Sequence, residues 1–314
     1  MQNLILTANI VTPVFLIVVI GIVLKSFNLM NDNFVNLSSK IVFSISLPAL
    51  IFIELSQTDF QRAFDPAEII FILSATVISF ILCWGVSALF IKDGRDKGTF
   101  IQGSFRSNYA IFGLAIIANM LGSKGLARGS LILAFIVPLY NVLSVIALTV
   151  PTRKEKQLNI AGTFIEILKN PLIAAVIVAI PFSLYKIPIH PIILKTGEYL
   201  ADIALPLALI GIGGSLNVKN IMNASVMAFT STALKLVVIP LILTYAAYQF
   251  GFRGETLAIM FILFASPTAI ASFVMAEAMG GNGRLAGNIV LLTTLGSVIS
   301  MTLGIYLLKS LGAL

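Results

Sequence analysis

Charge is scarce in this sequence: Asp, Glu, Lys and Arg make up 11% of its 314 residues, where soluble domains carry about 25%. A chain so poor in charge cannot dress an ordinary water-facing surface. Cysteine occurs once, at Cys83 in an apolar run, so no internal disulfide forms and nothing about redox compartment follows. Histidine also occurs once, at His190 in "IPIHPI". A lone imidazole in a connector is not a metal site. Ser/His/Asp arrangements, paired catalytic carboxylates and Cys/His clusters are all missing, which argues against an enzyme and a resident metal. The formal net charge of +7 is scattered singly between apolar stretches without interleaved aromatics, so a nucleic-acid partner is not expected either.

What the sequence has is apolar length. It is 58% hydrophobic with a mean hydropathy of +1.03. Stretches such as "NIVTPVFLIVVIGIVL" and "IIFILSATVISFILCWGVSALFI" meet the roughly 20-residue requirement for crossing a bilayer. Backbone satisfaction in lipid makes such spans helices. The expected class is an all-α polytopic membrane protein, with the lipid bilayer as its partner. Ten spans are expected near 7–27, 35–56, 67–91, 98–121, 126–150, 161–184, 191–216, 222–250, 254–279 and 285–310. The first has neither a basic leader nor a cleavage site and is expected to be a span, not a signal peptide.

The hydrophilic "TRKEKQLN" separates a first group of five spans, 1–151, from a second, 161–314; the linker, 152–160, is expected in the cytoplasm. The halves repeat. Ser107 laid on Ser266 aligns "SNYAIFGLAIIANMLGSKGLA" with "SPTAIASFVMAEAMGGNGRLA", and "ISLPALIFIE" answers "IALPLALIGI". Because each half holds an odd number of spans, the repeats are expected to be inverted, as in secondary transporters. Eleven Lys and Arg on connectors after odd-numbered spans, against seven on the others, place both termini outside the cytoplasmic membrane.

A proline inside a helix costs about 3 kcal/mol, yet it is tolerated in a first turn. Pro48 and Pro206 are therefore expected to start second half-helices in spans 2 and 7. The polar "FRSNYAIFG" and "FASPTAIAS" interrupt spans 4 and 9, so crossed broken helices are expected in the pairs 2/7 and 4/9. A helix N-terminus inside the membrane carries partial positive charge and suits an anion.

Candidate substrate contacts at these breaks are Arg106, Asn108, Tyr109, Ser266 and Thr268, with Pro48 and Pro206. Asn108 can hydrogen-bond a carboxylate or cap its own helix. Arg106 can hold a carboxylate or a headgroup, or snorkel to the surface. Lys235, near the middle of span 8, can neutralise a substrate, stand in for a coupling cation, or pair with an acid or the carbonyl end of a broken helix. Glu54, Asp202 and Glu277 are the acids nearest the breaks and candidates for proton or ion coupling; Glu277 is expected at the water interface. The glycines of "GIGGSL" are read as close helix packing.

"SLPALIF", "FRSNYAIFGL", "NPL", "LPLALIGIGGSL", "KLVVIP" and "MAEAMGGNGRLAGNIVLLTTLGSVIS" follow one another in an order that resembles the auxin efflux carrier family, bacterial branch, of the bile/arsenite/riboflavin transporter-like superfamily. The resemblance implies a panel-like scaffold and a transport domain holding crossed helices. It implies elevator-type movement of small organic anions: auxin in plant members, dicarboxylates such as malate or malonate in bacterial ones. No cofactor is implied; a proton or sodium stays open as coupling ion, and a homodimer is a candidate assembly. Ala115 stands where members often place a proline after Gly-Leu, and the long central loop of many plant carriers is absent. The chain also resembles sodium-dependent bile acid type symporters, without a convincing sodium cage, and a sensor or channel on the same fold remains an alternative.

Overall fold

A computed structural model describes residues 2–58, 64–152, 171–216 and 225–314. The expected linker, apart from Thr152, lies outside the described residues, as does the start of the sixth span. The described residues are helical throughout, apart from short turns and one pair of extended segments. Six helical stretches are long and apolar enough to cross a membrane: Asn9–Ser26, Asp32–Ser56, Pro66–Phe90, Tyr109–Thr149, Val226–Gln249 and Gly283–Ser310. Pro171–Tyr185 and Gly254–Ala265 are shorter apolar helices.

Helix α1 (Gln2–Ser26) is followed by α2 (Asp32–Ile41), which Asn31 caps by accepting from the Phe34 amide. The next helix, α3 (Leu47–Ser56), continues α2 through a π-helical turn at Val42–Ser46. The expected break at Pro48 is therefore absent. The Leu47 amide reaches back five residues to the Val42 carbonyl, and this widened turn makes room for a proline ring that would clash with a normal one. The same device recurs where α10 (Val226–Ala233) passes through a π turn at Leu234–Val238 into α11 (Ile239–Gln249), two residues ahead of Pro240. Pro206 is placed differently. It lies in the first turn of α9 (Ala204–Ser215), behind a turn at Ile203 that ends α8 (Pro191–Asp202). There a proline forfeits little.

The stretches expected as the fourth and ninth spans are broken. Helix α5 (Gly94–Phe105) ends at Arg106, whose backbone is extended; after Asn108 a π turn, Tyr109–Gly113, leads into α6 (Leu114–Thr149). Helix α12 (Gly254–Ala265) likewise ends before an extended stretch, and α13 (Ile270–Ala278) begins beyond it. The two extended stretches meet in an antiparallel bridge between Ser107 and Thr268, where the Asn108 amide donates to the Pro267 carbonyl at 2.7 Å. Each break thus satisfies part of the other's backbone. Within α6, Gly122 bends the helix at φ 65°, ψ −161°, a conformation open essentially to glycine alone.

Two groups of helices result. One holds α1, α2–α3, α7 (Pro171–Tyr185), α8 and α9; its tightest contact is α1 on α9. A methyl group on Gly213 would lie 2.0 Å from the Val18 carbonyl oxygen, and one on Gly21 2.3 Å from that of Ile210. Backbone meets backbone there, as expected of "GIGGSL". The other group holds α4 (Pro66–Phe90), α5, α6, α10–α13 and α14 (Gly283–Ser310). Exposed Ile, Leu, Val and Phe cover the outside of both groups, as a lipid-facing surface requires.

Candidate functional site

A cavity of about 400 Å³ lies between the two groups, within the range of small-molecule sites. The first group supplies residues of α2, its π turn and α9, among them Ser39, Phe43 and Gly211. From the second come the residues around both breaks, 106–111 and 269–271, and a face of α6 that includes Tyr140 and Asn141.

Arg106 dominates the cavity's chemistry. It is 8% exposed, far from a snorkelling position. Its guanidinium donates to the Ser144 hydroxyl at 3.1 Å and the Asn141 side-chain oxygen at 2.9 Å, and also touches the Met275 sulfur. Among the described residues no carboxylate pairs with it. A guanidinium has five N–H donors, so two remain beyond the contacts to Ser144, Asn141 and Met275, and its charge has no carboxylate to balance it among the described residues. An unpaired buried charge is costly.

Asn108, two residues on, is buried and lines the same cavity. Its side chain does not cap the helix; the backbone carbonyl instead accepts from the Phe112 and Gly113 amides. The capping alternative is thereby removed, and the side-chain amide is free to meet a ligand. The first amides of the helical segments beginning at Tyr109 and Ile270 have no preceding turn to bond. Both segments start at the cavity wall, adding partial positive charge.

The other expected contacts fall elsewhere. Thr268 is buried behind the bridge: its hydroxyl donates to the Gly103 carbonyl at 2.6 Å, and its amide to Thr293 at 3.1 Å. It braces the break without lining the cavity. Ser266 returns its hydroxyl to the Ile262 carbonyl, and Ser107 donates to Leu263 across the bridge. Lys235 is 1% exposed in the π turn of span 8, where its ammonium donates to the Phe264 carbonyl at 3.0 Å. Of the sequence alternatives, that is the one in which lysine closes the carbonyl end of a broken helix. Tyr109 lines the cavity, but its hydroxyl is buried without a partner. Pro48 and Pro206 do not line it.

Of the three acids, Asp202 and Glu277 are exposed and Glu54 is half-buried; none reaches the cavity. Glu277 packs against the first turn of α14. Asn141 and Tyr140 were missed because they sit beyond the break motifs; an asparagine in the apolar "FIVPLYNVL" was the available signal. Glu68, in the first turn of α4, was missed too. It is 1% exposed and ion-paired to Arg128.

Comparison with known proteins points to membrane transport. The family described as membrane transport protein matches residues 7–305. An uncharacterized transporter of Methanothermobacter thermautotrophicus is 21% identical over 295 residues, covering 93% of this chain and 95% of that protein. An uncharacterized transporter of Methanocaldococcus jannaschii is 20% identical over 309 residues, covering 94% and 96%. Both relatives are archaeal, so neither supports the bacterial branch. With its interrupted helices around a charged cavity and a family match over nearly its whole length, the chain belongs to the membrane transport protein family, that of the auxin efflux carriers.

Proposed function

We propose that this protein is a secondary carrier of small organic anions. The observation that carries the reading is Arg106, a buried guanidinium without a carboxylate partner, facing a cavity that Asn108 and two helix N-termini also line. A carboxylate fits this arrangement in charge and in hydrogen-bonding geometry. Transport follows an elevator path in which the group holding the breaks moves against the panel formed by α1, α2–α3 and α7–α9. The location of the cavity between these groups supports that division. Ten spans in two inverted five-helix repeats, with spans 4 and 9 crossing at their breaks, complete the reading. Both termini lie outside the cytoplasmic membrane.

Lys235 places a fixed ammonium on the carbonyl end of α12, where a coupling cation would be repelled. Sodium is accordingly not required. The test is counterflow in proteoliposomes with labelled malonate and, separately, an indole carboxylate, in sodium and in potassium. A carrier shows uptake accelerated by unlabelled anion inside, equally in both salts. Uptake without trans-acceleration would identify a channel, no uptake of any organic anion a sensor, and uptake only in sodium the bile acid type of coupling.

A further inference from the structure

Glu68 and Arg128 form a buried ion pair outside the anion cavity. Arg128 Nε donates to Glu68 Oε2 at 2.8 Å and Nη2 approaches the same oxygen at 2.6 Å. Both contacts use Oε2. Glu68 Oε1 is buried with no hydrogen-bond partner, an expensive condition for a charged oxygen. A second orphan lies near Arg128. The Tyr109 hydroxyl is also buried and unpartnered; it lies 3.0 Å from where a methyl group on Gly129, the residue after Arg128, would stand. Tyr109 follows Asn108 directly, and it lines the anion cavity.

We infer that Glu68 is the proton site of this carrier and that its protonation is coupled to anion binding; the inference rests on the anion reading above. With Glu68 ionised, the pair is neutral and adds little to the cavity's field. A proton taken from water onto Oε1 gives a neutral carboxylic acid. It also leaves the Arg128 cation uncompensated, one residue from the glycine that Tyr109 packs on. The field then favours an anion. By linkage, a bound anion raises the proton affinity of Glu68 to the same degree, and proton and anion move together.

Among the described residues, the charged group that faces Glu68 besides Arg128 is Asp65, which caps α4 by accepting from the Ala67 and Glu68 amides. Helix α11, also against α4, has no acidic or basic side chain. Helix α5 carries its charges in its first turn, at the far end of α4. Arg128 is the partly exposed member of the pair, its side chain 20% exposed against 1% for Glu68.

The test uses the purified full chain and Glu68→Gln, with malonate as probe. Infrared difference spectra between acid and alkaline pH should show a buried carboxylic-acid band that titrates in the parent and vanishes in the variant. Calorimetry in buffers of different ionisation enthalpy should show about one proton taken up per malonate, with affinity rising up to about tenfold per unit fall in pH. Glu68→Gln should bind at every pH as tightly as the parent at low pH, without proton uptake. A parent that binds malonate and takes up no proton overturns the inference, and needs no variant to do so. So does a titrating band that survives Glu68→Gln. If malonate fails to bind at any pH while the band still titrates and depends on Glu68, the anion reading falls and the coupling with it, but the proton site stands.

Discussion

At the scale of single residues, Asn108 and Thr268 separate binding from bracing. Asn108 faces the cavity with a free side-chain amide, whereas Thr268 bonds backbone on the other side of the same bridge. Asn108→Ala should weaken carboxylate binding by about 1.5–3 kcal/mol, roughly 10- to 150-fold, with little change in the melting of the empty protein. Thr268→Val should do the reverse. Leaving the Gly103 carbonyl unpaired should cost about 1–3 kcal/mol of stability, while the folded fraction keeps the parent affinity; thermal melts and calorimetry on both variants read the contrast. The sequence showed that 106–108 and 266–268 are polar interruptions. Which side chain of each faced the cavity was not legible, because alternation in an extended segment begins where the helix ends, and that point was uncertain by a residue or two. Glu68 was hidden for another reason: an acid in a first helical turn has an ordinary explanation in the helix dipole, and its pairing with Arg128 is a tertiary fact.

Among the elements, the breaks and the prolines have different physical meanings. The breaks of spans 4 and 9 were legible from Ser, Asn and Pro inside apolar helices, and they proved to be real interruptions. Pro48 was misread. A π turn two residues ahead absorbs the ring, and no sequence signal counts a hydrogen bond that spans five residues instead of four. Pro48→Ala should therefore leave malonate affinity within about threefold of the parent, since a new helical hydrogen bond adds only about 1 kcal/mol to a helix that is already continuous. Loss of binding in that variant would restore the broken-helix reading of span 2. Gly122 carries a clearer constraint. Gly122→Ala should cost about 1–3 kcal/mol, measured as a lowered melting point, because its φ of 65° and ψ of −161° exclude a side chain.

Across the described residues as a whole, two helix groups enclose a charged cavity, and within the first group α1 packs closely on α9. Gly213 and Gly21 let α1 and α9 meet backbone to backbone; Gly213→Ala should force them apart at about 1–3 kcal/mol, again visible in thermal melts. The membrane class was readable from composition and apolar length, since lipid allows few solutions. The cavity was not, because it is made by residues more than a hundred positions apart, such as Ser39, Asn141 and Ala271. The account turns on Arg106 holding an anion there, and calorimetric titration of the purified protein with malonate tests it directly, parent against Arg106→Gln. Removing a buried charge that pairs with the ligand should cost about 2–5 kcal/mol, a weakening of at least about 30-fold, in a variant whose side chain can still reach Asn141 and Ser144. Equal affinity in parent and variant would contradict the account and leave Arg106 a structural residue.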